Sequence, residues 1–168
     1  MSKMESIPYE TAMQTVWYKL GKSKIMALAA CTKYKPSVRN VSAIIQDNRI
    51  LFKTDIHFDK TKQILENPNV AIAHWGVSIE GQAVNLGSLI NADDFINEKP
   101  DSEIKHAFAS AYKTHWDKSY TAYAHKDTEI LIEVVPESIE IWDQDENDKA
   151  FQTLIDCANL EAHIVRYD

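Results

Sequence analysis

Lysine and histidine side chains crowd the start of a short predicted helix, where most helices carry acidic residues. In "DIHFDKTKQILENPNVA", residues 55–71, Lys60 and Lys62 lie in the first turn, with His57 just before them and Lys53 upstream. Unpaired N–H groups of a first helical turn carry partial positive charge, so each nearby cation costs roughly a few tenths of a kcal/mol. The same amides and ammonium groups can instead bind a phosphate. This segment alone fits a phosphate site and a solvated surface equally well.

A predicted β-hairpin lies directly before this segment. The runs "VRNVSAIIQ" and "RILFKTD" flank Asp47 and Asn48, and both residue types tolerate the left-handed backbone of a two-residue turn. With the turn placed there, Gln46 pairs with Arg49. The sequence therefore predicts antiparallel pairing of these two strands.

The hairpin register brings an arginine toward the cation-rich helix. It places Ser42 opposite Lys53, so that Arg39 lies near the strand end from which the chain enters the helix. The chain has only three arginines, and a strand arginine most often forms a surface ion pair. Here Arg39, Lys53 and Lys60, with Lys62 close by, can converge on one phosphate-sized anion.

Two tryptophans stand at predicted strand ends. Trp75, in "AIAHW", is typical of a core or interface position. Trp142, in "PESIEIWD", comes just before an acidic stretch, which is an unusual place for a purely structural tryptophan. It can stack on a flat ligand or cover a dimer interface.

Other chemical signatures are missing from the sequence. There is no GxGxxG motif, P-loop or GxSxG elbow, and four glycines leave little room for such backbone cradles. The six histidines form no HxxxH or HExxH pattern, and Cys31 and Cys157 lie far apart without metal-ligand spacing. The sequence thus indicates neither a metal site nor a disulfide framework, and it singles out no catalytic residue.

Composition and charge narrow the class of partner. The hydrophobic content of 45% and charged content of 26% are typical of a globular domain, and the net charge of −7 argues against nucleic-acid or anionic-membrane partners. No apolar run approaches the roughly 20 residues of a membrane span, and the first residues do not resemble a signal peptide. We expect a cytoplasmic protein.

The elements that must position these residues are mostly strands. We expect strands at "KIMALAAC", "VRNVSAIIQ", "RILFKTD", "NVAIAHW" and "VSIEGQAVNLGSLI", and two more, broken at Pro136, in "TEILIEVVPESIEIWD". Helices are predicted near the start of the chain, after Asp59, over 101–118, and within 146–160. Closely spaced strands favour an antiparallel barrel, so we predict one domain, residues 1–168, mainly β with flanking helices. A small barrel fills its own interior, so a ligand would bind at its mouth or against a second subunit.

The order of several short motifs resembles one protein family. "PSVRNVSAII", "ILFKTD", "KTKQILENPNVAI", "IEGQA" and "PESIEIW" follow one another within roughly residues 25–142. In combination they are similar to the motifs of pyridoxamine 5′-phosphate oxidase-like FMN-binding split barrels. The resemblance implies a six-stranded antiparallel split β-barrel, a homodimer, and FMN in two equivalent clefts between the subunits.

The resemblance also implies which residues contact FMN. By motif position, Arg39 and Lys60 bind the flavin phosphate, and Trp142 contacts the flavin from the partner chain. The hairpin strands lie along the flavin, and Lys62 supplements the phosphate charge. The remaining cofactor-binding residues implied are Asn40, Val41, Ser42, Ile44, Lys53 and Thr54.

The sequence departs from true pyridoxamine 5′-phosphate oxidases at several motif positions. Asp59 stands where they carry an arginine, Gly76 stands where they carry a glutamine, and "DQDENDKAFQ" lacks their substrate-binding Arg and His. The resemblance is therefore closer to the general-stress and nitroimidazole-resistance members of the family.

The function implied is that of an FMN-dependent oxidoreductase, which passes two electrons between a reductant such as NAD(P)H and a small acceptor. The alternative is a non-enzymatic flavin- or haem-binding or sensing protein of the same fold, and a deazaflavin is a third possible cofactor. Haem would need an axial ligand, for which His57, His74 and His163 are the candidates.

Overall fold

A computed structural model describes residues 3–89, 100–116 and 127–167 of the chain. Residues 90 and 117–118, at the ends of two predicted elements, lie outside the described residues. The strands are β1 (Lys3–Ile7), β2 (Ser23–Thr32), β3 (Lys35–Gln46), β4 (Arg49–Asp55), β5 (Asn69–His74), β6 (Val77–Ser88), β7 (Glu129–Gln144), β8 (Ala150–Asp156) and β9 (Glu161–Arg166). The helices are α1 (Tyr9–Leu20), α2 (Asp59–Glu66) and α3 (Pro100–His115).

Six of the strands close into an antiparallel barrel. They run in the order β7-β4-β3-β2-β5-β6, and β6 pairs back onto β7 from Val77 opposite Ile141 to Ser88 opposite Ile130. The predicted six-stranded antiparallel barrel is confirmed. The predicted break at Pro136 is wrong, because β7 runs through this residue, which lies opposite Gly81 at a register shift where a missing N–H is tolerated. The strand continues beyond the barrel and pairs with β8, which is followed by β9 and β1 in the same sheet.

The predicted helix within residues 146–160 is wrong, because this segment forms a turn, strand β8 and a second turn. The Asp145 carboxylate accepts hydrogen bonds from the backbone N–H groups of Asn147 and Lys149, which closes the first turn. The Asp156 carboxylate does the same for Ala158 and Asn159. Aspartate side chains that bond nearby N–H groups favour turns as much as helix starts, and strand pairing decides between the two.

Alternation along the strands separates two apolar layers. On β4, Ile50 and Phe52 are fully buried in the barrel interior, where Val16 and Leu20 of α1 join them. The side chain of Leu51 points to the opposite face. There α3 covers the sheet through its apolar face, with a second cluster formed by Ile44, Leu51, Leu89, Phe108, Ala109, Tyr112 and Leu131. The interior is thus packed, and α3 forms a wall outside it.

Strands β3 and β4 separate shortly after their shared turn. Asp47 and Asn48 both adopt positive φ at the turn, and the predicted pairing of Gln46 with Arg49 is confirmed. The ladder ends at the pair of Ile44 with Leu51, so the predicted opposition of Ser42 and Lys53 is not part of it. Beyond this point β3 stays on β2, and β4 stays on β7.

Within the described part of the chain, no helix has both the length and the hydrophobicity that a bilayer crossing demands.

The seam between β6 and β7 depends on one glycine. Gly81 lies at a register shift, and a Cβ built on it would lie 2.0 Å from the carbonyl oxygen of Val135. We expect Gly81→Ala to lower the free energy of unfolding in urea by about 3 kcal/mol or more, because the strand backbones must move apart.

Gly21→Ala is the control for this substitution. Gly21 has φ of 64° and ψ of −141° but nothing within 4 Å of the added Cβ, so it should lose about 1–3 kcal/mol through backbone conformation alone. Equal losses for the two variants would contradict the steric role of Gly81.

Candidate functional site

The separation of β3 from β4 opens a cleft on the outer face of the barrel. We refer to this space, bounded by β3, β4, α2 and α3, as the cleft. Its volume is about 400 Å³, within the usual range for small-molecule sites. It is lined by Asn40, Val41, Ser42, Lys53, Thr54, Asp55, Phe58, Lys60, Tyr112 and Glu129.

An arginine stands next to the cleft where β3 passes α2. The Nη2 atom of Arg39 donates to Oε1 of Gln63 at 2.8 Å and to Oγ of Ser37 at 2.6 Å. Its Nη1 atom is buried and has no hydrogen-bond partner among the described residues. Neutral groups therefore orient this guanidinium without compensating its charge, and one buried donor is free for an acceptor.

Lys60 adds a second cation at the same end of the cleft. Burial lowers the pKa of the Lys60 ammonium, and the positive charge of Arg39 lowers it further. The Nζ atom lies 5.3 Å from the centre of the Phe58 ring. Among the described residues, no carboxylate lies within 4.0 Å of either Lys60 or Arg39. Such a pair of like charges favours the entry of an anion.

Hydrogen bonds fix the helix that carries Lys60. The Thr61 hydroxyl donates to the backbone oxygen of Asp55 at 2.7 Å, so the Thr54 hydroxyl donates to Thr61 Oγ1 at 2.8 Å. Thr54 and Thr61 are both buried. These bonds tie the first turn of α2 to the end of β4 and thereby position Lys60.

Lys53 differs in its electrostatic state from these two cations. Its Nζ atom lies 2.7 Å from Oε1 of Glu129 and 5.1 Å from the centre of the Tyr112 ring. Burial raises the pKa of the Tyr112 phenol, which is hydrogen-bonded to Ser42. The assignment of Lys53 to cofactor binding remains a prediction, but its charge is compensated within this wall.

Three other predicted residues lie away from the lining. Ile44 is buried beneath α3, and Lys62 is exposed at 3.9 Å from the Asp59 carboxylate. Trp142 lies at the far end of β7 from Glu129, about 13 residues or roughly 40 Å of strand away. The assignment of these residues to cofactor binding remains a prediction.

Trp142 belongs to an exposed aromatic group. Its ring stacks on Tyr167 with centroids 5.6 Å apart, and 46% of the residue is exposed. The adjacent turn holds Trp75, which is 90% exposed at φ of 39°, and the carbonyl of Gly76 accepts a hydrogen bond from the Trp142 N–H at 2.8 Å. This backbone hydrogen bond places the two exposed tryptophans on neighbouring segments of the protein surface.

Sequence reasoning missed several residues of the site. Glu129, Tyr112 and Gln63 were not singled out, because each meets its partner across long sequence separations. Tyr112 did appear on the apolar face of the predicted helix over 101–118. An apolar helix face indicates that the helix packs against a sheet, but it does not identify the strand that the helix covers.

Comparison with known proteins adds a family match. Residues 13–143 match the family model described as pyridoxamine 5′-phosphate oxidase. A comparison with curated proteins found no significant match.

Solved structures with the same fold include three of interest. An FMN-binding protein related to pyridoxamine 5′-phosphate oxidase, from Nostoc punctiforme, has a TM-score of 0.64 and 11% identity, over 96% of this chain and 98% of that one. General stress protein 26 from Bacillus anthracis has a TM-score of 0.55 and 17% identity, over 76% of this chain and 91% of that one. An FAD-binding protein from Mesorhizobium loti has a TM-score of 0.53 and 12% identity, over 99% and 100%. At these identities the likeness establishes the fold.

The uncompensated charge of Lys60 should lower the stability of the ligand-free protein. Because folding lowers the pKa of Lys60, the free energy of unfolding rises with pH from that lowered pKa up to the ordinary lysine pKa of 10.5. We expect Lys60→Met to raise the urea midpoint of the ligand-free protein at pH 7. In phosphate buffer the wild type should have the higher urea midpoint of the two, because phosphate at 100 times its dissociation constant stabilises the wild type by about 2.7 kcal/mol.

Lys62→Met is the matched control, because Lys62 lies in the same helical turn but is exposed. Its ligand-free midpoint should stay near that of the wild type. Chloride at equal ionic strength should not replace phosphate. A Lys60→Met protein that is less stable than the wild type in both buffers would show that Lys60 has a structural role.

Proposed function

Because the chain belongs to the pyridoxamine 5′-phosphate oxidase family, we propose that it is a flavoprotein that binds FMN in the cleft between β3 and β4. The observation that carries this proposal is the pair of uncompensated cations, Arg39 and Lys60, at one end of the cleft. A chain with a net charge of −7 places two cations together, and among the described residues neither has a carboxylate within 4.0 Å. A bound phosphate explains that arrangement.

The chemistry of the donors favours a terminal phosphate. A phosphate monoester carries about −1.5 to −2 charges at pH 7 and offers three acceptor oxygens. The free Nη1 of Arg39 and the ammonium of Lys60 supply two donors of matching sign. FMN ends in such a monoester, whereas the phosphates of FAD are internal diesters with one charge each. FMN is therefore the flavin that we assign.

We assign the second side of each site to a partner subunit. Trp142 lies roughly 40 Å of strand from the cleft of its own chain, and nearly half of it is exposed next to the turn that carries Trp75. In a homodimer the same surface can reach the cleft of the other chain. Two equivalent sites would then lie between the subunits, each with one tryptophan from across the interface.

When bound, the flavin supplies two-electron chemistry, which we propose takes electrons from NAD(P)H or a similar reductant and passes them to a small acceptor. The residues of this chain hold and orient it. Arg39 and Lys60 fix the phosphate, the Thr54–Thr61 hydrogen bond fixes the helix of Lys60, and Tyr112 closes the cleft on the side of α3. No side chain is assigned as a catalytic acid or base.

The haem alternative receives less support from the cleft. The three candidate axial ligands, His57, His74 and His163, do not line it. His74 instead makes a 2.9 Å hydrogen bond to the carbonyl oxygen of Ile25, and His163 lines a separate groove. A flavin remains the cofactor class that the residues of the cleft favour.

Loss of both phosphate donors tests the proposed function. We expect the double variant Arg39→Ala with Lys60→Ala to bind FMN at least about 100-fold more weakly, because two charge-assisted hydrogen bonds of roughly 1.5–3 kcal/mol each are lost. Riboflavin, which lacks the phosphate, should lose little. Flavin fluorescence titration measures both affinities.

As a control, Lys22→Ala removes one positive charge from an exposed site near the end of α1, and it should leave FMN binding unchanged. Equal weakening of FMN and riboflavin in the double variant would mean that the two cations act elsewhere. A wild-type protein that takes up no flavin at all would refute the proposed function itself.

The dimer assignment predicts an effect of Trp142. Trp142→Ala should weaken FMN binding about tenfold, since aromatic stacking contributes roughly 1–3 kcal/mol. Light scattering must show a dimer for both proteins. Unchanged affinity in a confirmed dimer would exclude contact between Trp142 and the flavin of the other subunit.

A further inference from the structure

A buried ion pair forms the wall of the cleft opposite its cationic end. The side chains of Lys53 and Glu129 are only 6% and 10% exposed, and their charged atoms lie 2.7 Å apart. In the β4–β7 ladder Lys53 pairs with Leu131, so Glu129 is its diagonal neighbour on the same sheet face. The aromatic ring of Tyr112 covers the ammonium group.

Stability alone does not account for this pair. Removing two charges from water is costly, and apolar residues of similar size often replace a buried ion pair without loss of stability. Leu51 and Leu131 on the same face show that apolar residues pack well beneath α3. Both members of the pair also line the cleft, which places them beside whatever occupies it.

The position of the pair relates it to the ring of a bound flavin rather than to the phosphate. Arg39 and Lys60 mark the phosphate end. Ser42, which bonds Tyr112 near Lys53, lies three residues further along β3 than Arg39, or roughly 10 Å. Lys60, Ser42, Lys53 and Glu129 all line the same cleft. A molecule that is anchored by its phosphate at Arg39 and Lys60 and fills the cleft therefore lies against Lys53 and Glu129.

We propose that Glu129 sets the reduction potential of the bound flavin by compensating the charge of Lys53. This inference rests on the proposed function. Two electrons and one proton convert the neutral oxidised ring into a ring with one negative charge. An uncompensated Lys53 ammonium beside the cleft would stabilise that charge, and the Glu129 carboxylate opposes it. Glu129 acts through Lys53 and is a tuning residue, not a catalytic one.

A charge series tests this proposal. The wild type, Glu129→Gln, Lys53→Met and the double variant are loaded with FMN and reduced by dithionite with an indicator dye. We expect the highest potential in Glu129→Gln, the lowest in Lys53→Met, and similar intermediate values in the other two. The shift for Glu129→Gln should correspond to at least a tenfold change in the reduction equilibrium, or about 30 mV.

Glu133→Gln is the matched control. Glu133 forms a second ion pair across β4 and β7, with Arg49, but it does not line the cleft. It lies four residues along β7 from Glu129, so the same loss of charge should shift the potential much less. Equal shifts for Glu129→Gln and Glu133→Gln would mean that the reduction potential responds only to the overall charge of the protein, and would overturn the proposal.

Three further outcomes of this experiment bear on the role of Glu129. A potential in Glu129→Gln equal to or below that of the wild type overturns the inference while leaving FMN binding intact. If Glu129→Gln does not retain flavin, the same difference is measured between Lys53→Met and the double variant, where the double variant must have the higher potential. A wild-type protein without affinity for FMN refutes the proposed function instead.

Discussion

The separation of β3 from β4 after three ladder pairs is the constraint on which the site depends. A barrel strand that leaves its neighbour exposes backbone groups that need other partners. Here β3 remains bonded to β2 and β4 to β7, so the rest of the barrel stays closed. Helix α2 crosses the opening and is held to β4 by hydrogen bonds through Thr61. The gap is therefore framed by hydrogen-bonded elements, and its lining comes from the strands on either side and from the segments of α2 and α3.

The charges along this gap are arranged unequally. At one end Arg39 is oriented by an amide and a hydroxyl, which hold its geometry but leave its charge intact. At the other end Lys53 meets a carboxylate at hydrogen-bond distance. The same residue type thus serves two purposes within one cleft, since Lys60 stays uncompensated and Lys53 does not. Burial strengthens both the repulsion between Lys60 and Arg39 and the attraction between Lys53 and Glu129, because water screens charges less in a buried site.

Local patterns predicted much of this arrangement. The turn at Asp47 and Asn48 predicted the pairing of Gln46 with Arg49, and the cations of α2 with the hairpin register predicted that Lys60 lies near Arg39. The features that local patterns did not predict depend on contacts between residues far apart in the sequence. The partner of Lys53 lies 76 residues away, so its compensation could not be read from neighbouring residues. The segment after Trp142 carries both helix-start and turn signals, and its pairing with β7 selected strand.

The placement of β1 at the edge of the sheet has a consequence for the order in which the molecule assembles. Lys3 pairs with Arg166, so the first described strand finds its partner in the last one. During synthesis the barrel strands can pair before β9 has left the ribosome, whereas β1 must wait unpaired. Contacts of such sequence separation close slowly. Docking of β1 is therefore expected to be a late step, and until then the outer edge of β9 is open.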